Sequence, residues 1–342
     1  MRFLRTKRGI SLAGLGLFMS AALVFVLTSD QPLLKLLRFT VLNTFQFEGE
    51  EIGVIRRDLV YKIANGEPLM VDIYMPLEER HDAAPVVVFS HGGGWITGDR
   101  DTMLIGPDNR RLIIGLRKLG YAIANFEYRL LSTRVTLADT IADNKDMVRW
   151  LRANAEVYEL DPDNIGLWGQ SAGGYLVLMA GLTEDDEFIG DDTLSSVSAR
   201  VSYIVDNYGR TDLSERFVPI FNGERSPGIM TRIQAARMFA SREAEDASAF
   251  ADRLMELSPV THVDAGDPPV LILHGDADGL VPTEQSRVLQ RRLEAAGTEH
   301  EVHFVRNADH AFIGATDNQI EEIVSLSSAF VLRNTSSPGV RP

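Results

Sequence analysis

Ser171 stands in Trp168-Gly169-Gln170-Ser171-Ala172-Gly173-Gly174. Glycines two before and two after a serine leave room for a tight strand-to-helix turn, which holds the hydroxyl out above a sheet on a strained backbone. An apolar stretch, Ile165-Gly166-Leu167-Trp168, comes before the motif and a helical one follows it, as such a turn requires. A serine hydroxyl is a weak nucleophile at neutral pH. To attack a carbonyl it needs a base, a group that orients the base, and hydrogen-bond donors for the oxyanion that forms.

Donors are offered by Ser90-His91-Gly92-Gly93-Gly94-Trp95, directly after the β-branched run Val86 to Phe89. A glycine turn there presents backbone N–H groups without side chains in the way, so Gly93 and Gly94 are candidate oxyanion donors, with the Ala172 N–H as the third. A phosphate-cradling loop would end in Gly-Lys-Ser/Thr, and this one does not. Trp95 is expected to line the substrate pocket, with core packing as its alternative. His91 is expected to brace the loop.

The base is expected at His310, in the polar loop Arg306-Asn307-Ala308-Asp309-His310-Ala311-Phe312 after the strand-like Glu301 to Val305. His303 lies within that strand, and His81 and His262 lie outside strand ends that could meet Ser171. The orienting carboxylate follows another buried strand, in Leu273-His274-Gly275-Asp276-Ala277-Asp278-Gly279. Position alone leaves Asp276 and Asp278 both open. This chemistry asks for no metal or cofactor, and none is expected.

The elements that must hold these groups alternate along the chain. Strand-like segments run at 59–64, 70–75, 85–89, 121–126, 165–168, 201–205, 270–274 and 301–305, the first two flanking Asn65-Gly66 as an antiparallel hairpin. Helical patterns fall at 109–119, 137–155, 176–181, 283–296 and 318–332. Such alternation implies an α/β fold, a mostly parallel central sheet flanked by helices on both faces. The interval 210–257 breaks the pattern and reads as a cap-like insertion over the C-terminal edge of the strands, where such folds bind ligands.

With 342 residues, 45% of them hydrophobic, the chain is long enough for one enzyme-sized core. A net charge of −14 argues against nucleic-acid binding, which needs Lys and Arg to neutralise phosphates. With no cysteine there is no thiol nucleophile, Cys-ligated zinc or disulfide, and the compartment stays open. Arg2, Arg5, Lys7 and Arg8 precede an uncharged run from Ile10 to Leu27. That pattern predicts a signal anchor with a cytoplasmic N-terminus, and hence a membrane-tethered catalytic region outside the cytoplasm. Cleavage of the run would instead yield a secreted or periplasmic protein. The expected division is a signal anchor or signal peptide at 1–30, a linker or amphipathic segment at 31–54, the catalytic domain at 55–335 and a flexible tail at 336–342.

With these residues in view, the chain resembles the α/β-hydrolase carboxylesterases related to hormone-sensitive lipase, most closely the bacterial BD-FAE-like group. The resemblance covers about 55–329. It rests on His91-Gly92-Gly93-Gly94-Trp95 with Gly98-Asp99, Tyr128-Arg129-Leu130, Asp143 with Val148-Arg149-Trp150-Leu151, and Gly169-Gln170-Ser171-Ala172-Gly173-Gly174. Further matches are Tyr208-Gly209 with Thr211-Asp212, Ser258-Pro259, Pro268-Pro269, and His274-Gly275 with Asp278 and Val281-Pro282. It implies the α/β-hydrolase fold, favours Asp278 over Asp276, and makes Ser171, Asp278 and His310 the triad in the chain order of that fold. It also implies a serine carboxylesterase acting on small ester substrates, short-acyl and acetylated-carbohydrate esters among them. Gln170 stands where the hormone-sensitive-lipase signature has Asp, Arg210 where these proteins often have proline, and the 307–312 loop lacks the usual glycines. An exopeptidase or amidase on the same fold and a non-catalytic membrane-tethered binding protein are the competing readings. Oligomeric state is not legible.

Overall fold

The computed structural model describes residues 44, 46–215 and 247–336. The expected anchor or signal at 1–30, most of the linker at 31–54, the middle of the 210–257 insertion and the tail after residue 336 lie outside the described residues. Among the described residues, no helix is long and apolar enough to cross a membrane.

Among the described residues, eight strands form one sheet in the order β1-β2-β4-β3-β5-β6-β7-β8. They are β1 (Ile55–Ala64), β2 (Glu67–Tyr74), β3 (Ala84–Ser90), β4 (Ala122–Phe126), β5 (Leu160–Gln170), β6 (Ile204–Asn207), β7 (Val270–Gly275) and β8 (His300–Val305). The hairpin expected at Asn65-Gly66 is present. Both residues take positive φ, 54° and 85°, as a tight two-residue turn demands, and Ala64 pairs with Glu67. β2 runs antiparallel to β1 and β4, and every later pairing is parallel. Parallel neighbours need crossovers, which the helices provide.

Those helices are α1 (Pro107–Lys118), α2 (Leu137–Ala153), α3 (Ala172–Leu182), α4 (Ala247–Glu256), α5 (Glu284–Ala296) and α6 (Asp317–Arg333). Side chains alternate across a strand, so β3 sends Val86 and Val88 to one core layer and Val87 and Phe89 to the other. The first layer is closed by α2, α3 and α5, the second by α1 and α6. Because both faces are covered, β3 and β4 are buried at every position and carry no polar alternation.

β6 starts later than 201–205 and ends in two polar residues, Asp206 and Asn207, both buried. Their polarity disguised the end of the strand in the sequence. Asp206 Oδ1 accepts the Gly209 N–H at 2.9 Å, and the Asn207 carbonyl accepts the Ser171 N–H at 2.9 Å. The sheet's edge is tied to α2 by buried ions: Lys62 Nζ sits 2.7 Å from Asp143 Oδ1 and 2.6 Å from Asp146 Oδ2. Arg129 holds Asp143 from its other side and Arg149 holds Asp146.

Candidate active site

Strand β5 ends at Gln170 and α3 begins at Ala172, leaving Ser171 alone to make the turn at φ 56°, ψ −115°. A side chain in that region is strained, and only a tightly packed turn holds it there. The flanking glycines permit the packing: a Cβ on Gly169 would lie 2.2 Å from the Gly173 carbonyl oxygen, and one on Gly173 would lie 1.9 Å from that of Ser90. Ser171 occupies the N-cap position of α3, yet its hydroxyl caps nothing. Instead, Oγ lies 2.9 Å from His310 Nε2.

His310 comes from the loop after β8, which folds back through positive φ at Asn307, Ala311 and Phe312. His310 Nδ1 lies 2.7 Å from Asp278 Oδ2. Asp278 Oδ1 accepts the N–H groups of Leu280 and Val281, each at 2.8 Å. Burial opposes ionisation of this carboxyl, but hydrogen bonds from His274 and His310 outweigh it and hold Asp278 well below the usual carboxylate range. Asp276 is occupied elsewhere, accepting the Asn307 N–H at 2.6 Å, and Asp309 accepts the N–H groups of Gly279 and His310. Both carboxylates brace the loops that bring Asp278 and His310 together.

The 92–95 turn lies against the nucleophile. A Cβ on Gly92 would come within 3.5 Å of Ser171 Cβ. Gly93, Gly94 and Trp95 all take positive φ, at 118°, 62° and 63°. Ala172 is the first residue of α3, where backbone N–H groups have no partner within the helix. His91 donates Nδ1–H to the Gly92 carbonyl at 2.7 Å and stacks on Tyr128 with centroids 4.1 Å apart, while the Tyr128 hydroxyl donates to the His91 carbonyl. Burial pushes His91 down to about 4, so it is neutral and braces the loop.

Trp95 departs from the expected pocket wall. It is 3% exposed, donates Nε1–H to the Ala172 carbonyl at 3.1 Å and meets Tyr175 edge to face at 5.1 Å. Its hydrogen bond and packing join the glycine turn to α3, which makes it a core residue. Gln170 exchanges hydrogen bonds with Asn109 of α1, at 2.6 and 3.3 Å, where an Asp would offer no donor to the Asn109 carbonyl oxygen.

Two residues next to the triad escaped the sequence reading. Tyr208, at φ 48°, lays its ring against His310 with centroids 4.8 Å apart and against Phe312 at 5.0 Å. His274 reaches Asp278 Oδ2 at 3.2 Å. Each belongs to a dipeptide, Tyr208-Gly209 or His274-Gly275, that carried the family resemblance, which was the available signal.

A serine on a strained strand-to-helix turn, with histidine and aspartate delivered from the ends of later parallel strands, defines the α/β-hydrolase architecture. The BD-FAE family model matches residues 71–293, more than half of the chain, and the chain belongs to that family. It is 28% identical over 242 residues to "Esterase LipC" of Mycobacterium tuberculosis, covering 71% of this chain and 56% of that protein. With "Probable carboxylic ester hydrolase LipM" of the same organism it shares 32% over 204 residues, covering 60% and 43%. The chain therefore spans about half the length of the curated relatives it matches. Among solved structures it is similar to a thermophilic esterase of Thermogutta terrifontis, Est2 with butyrate bound, at TM-score 0.66 and 25% identity over 84% of this chain and 98% of that one.

Proposed function

We propose that this protein is a serine carboxylic-ester hydrolase acting through an acyl-enzyme on small, short-acyl esters, acetylated carbohydrates among them. The observation that carries the reading is the continuous line of hydrogen-bonding distances from Ser171 Oγ through His310 to Asp278. His310 Nε2 takes the Ser171 proton as Oγ bonds to the ester carbonyl carbon, and Asp278 stabilises the imidazolium. The N–H groups of Gly93, Gly94 and Ala172 hold the oxyanion. Collapse breaks the bond to the alkoxy group, which leaves as the alcohol with the proton from His310. Water, deprotonated by the same nitrogen, then attacks the acyl-serine and releases the acid. Support for the ester comes from the names of LipC and LipM, and for a short acyl group from the butyrate in the Thermogutta terrifontis structure.

In this reading the 210–257 interval is a cap that shapes the pocket. Both of its ends are fastened beside the Asp278 loop: Thr211 and Asp212 donate N–H to Gln285 Oε1 at 2.8 Å, and Leu213 N–H to Ser258 Oγ at 2.9 Å. Arg210, buried, reaches the Leu280 carbonyl at 3.5 Å. The basic residues before Ile10–Leu27 support a membrane anchor with the catalytic domain outside the cytoplasm. Mass spectrometry of the native protein tests this, because a mature N-terminus near Ser29 or later means a cleaved signal.

The activity is tested by assaying the purified chain on p-nitrophenyl acetate and on aminoacyl p-nitroanilides, with Ser171→Ala beside it. Ester turnover lost in the variant is expected. Turnover that survives the substitution overturns the mechanism, preference for the anilides points to a peptidase, and no turnover of either class points to a binding protein.

A further inference from the structure

The carboxylate that orients His310 is gripped by a second imidazole. His274, near the end of β7, is fully buried. Its Nε2 lies 3.2 Å from Asp278 Oδ2 and 3.0 Å from the Val281 carbonyl oxygen, and its Nδ1 lies 2.7 Å from Ser286 Oγ in α5. A carbonyl only accepts, so Nε2 carries the proton, and in the neutral ring Nδ1 accepts from the Ser286 hydroxyl. Asp278 is then saturated. Oδ1 takes two backbone N–H groups, and Oδ2 takes one N–H from each imidazole, which uses all four acceptor positions of a carboxylate.

We propose that His274 is a positioning residue of the triad, fixing the plane of the Asp278 carboxylate and sharing the charge of Oδ2 with His310, its proton held on Nε2 by the Val281 carbonyl and its ring held in place by the Ser286 hydroxyl. The proposal rests on reading Ser171, His310 and Asp278 as the reacting groups. Two donors on one oxygen divide its charge. Without His274, all of that charge faces His310, the imidazolium is favoured, and His310 titrates at higher pH. The carboxylate keeps its two bonds at Oδ1 but loses one of the two donors at Oδ2, so its plane is held less tightly and the base is aligned less well in the transition state.

Other polar groups face this cluster. Asp206 of β6 interacts electrostatically with His274, and burial pushes its carboxyl up to about 7. Tyr208 covers the His310 ring, Arg210 reaches the Leu280 carbonyl and lies 4.0 Å from Glu215, Gln285 neighbours Ser286 on α5, and Asp309 and Asp276 hold the two loops. Because burial moves Asp206 towards the working range, the comparison is repeated in an Asp206→Asn background.

The test uses the full chain carrying His274→Phe, which keeps a ring and removes the donor; His274→Gln, which restores an N–H near Nε2; and Ser286→Ala, which releases the ring at Nδ1 so that its Nε2–H no longer points squarely at Oδ2. Histidine-selective NMR titration of His310 needs no substrate and is read beside kcat and KM on p-nitrophenyl acetate. In H274F the His310 titration is expected to move up by on the order of one pH unit. Its kcat is expected to fall about 10- to 100-fold, as when outer-shell partners of a reacting group are lost, with KM little changed. H274Q recovers most of both, and S286A moves the titration in the same direction. An unmoved His310 titration in H274F and S286A overturns the proposal, as does a kcat loss that H274Q does not restore. If H274F fails to fold, H274Q and S286A decide on the same criteria. A wild-type chain that hydrolyses no ester contradicts the proposed function, and the NMR titration still decides the role of His274.

Discussion

Asp278 and His310, 32 positions apart, meet at 2.7 Å between Oδ2 and Nδ1, whereas Asp276, two residues before Asp278, is turned to the backbone of Asn307. The pair makes a clean comparison possible. Asp278→Asn should lower kcat about 10³- to 10⁴-fold, because an amide leaves the imidazole in the wrong tautomer and its cation unsupported. Asp276→Asn should cost far less, since it touches only a loop N–H. Since Asp278 stays ionised well below the usual range, it should contribute no step of its own to the acid limb of kcat/KM. Parallel kcat values for the two variants would reverse the assignment.

Stability carries a separate pH signature through Asp206. Its carboxyl is fully buried, Oδ2 has no hydrogen-bond partner, and burial pushes its pKa up to about 7 against an ordinary 3.8. A raised folded-state pKa means the folded protein binds more protons than the unfolded chain between those values. The stability from Asp206 is therefore complete below about pH 4 and lost as pH rises to about 7. Asp206→Asn should melt higher than wild type at pH 8, by roughly 2–4 °C for each kcal/mol recovered, with the gap closing towards pH 5. Thermal melts across that range check it, and a constant gap contradicts it.

Lys62 answers for the sheet's edge. Its ammonium lies between Asp143 and Asp146, with side chains 4% and 0% exposed. Lys62→Met fills similar space but leaves two buried carboxylates relying on Arg129 and Arg149. The expected loss is about 3–5 kcal/mol in urea unfolding. A loss under about 1 kcal/mol, the range of an exposed pair, contradicts the role.

Trp95→Phe separates a core tryptophan from a pocket wall. Phe keeps one aromatic ring but is smaller and cannot donate to the Ala172 carbonyl, so stability should fall by about 1 kcal/mol for the lost bond and further for the space left in the core. KM for p-nitrophenyl acetate and butyrate should stay nearly the same. A change in KM that depends on acyl length would return Trp95 to the pocket.

Legibility from sequence followed covalent and steric constraints. The elbow was readable because Gly169 and Gly173 have no alternative there. All eight strands were anticipated, most of them because burial on both faces writes uninterrupted apolar runs. α3 was expected only from Leu176, since its first turn is glycine and alanine with no periodicity to read. The end of β6 was hidden by Asp206 and Asn207, which look like loop residues until Gly209 and Ser171 supply partners. The roles of His274, Tyr208 and Trp95 depend on side chains meeting across 4 to 102 positions, and no local pattern encodes such a meeting. The choice between Asp276 and Asp278 needed the family resemblance, because both residues follow the same strand.

Labelling the full chain with a fluorophosphonate, digesting it and mapping the adduct by mass spectrometry tests most directly whether Ser171 is the activated hydroxyl. One phosphonylated site is expected, Ser171, with labelling abolished in Ser171→Ala and slowed in His310→Ala. An adduct on any other residue, or labelling that persists in Ser171→Ala, would contradict that assignment.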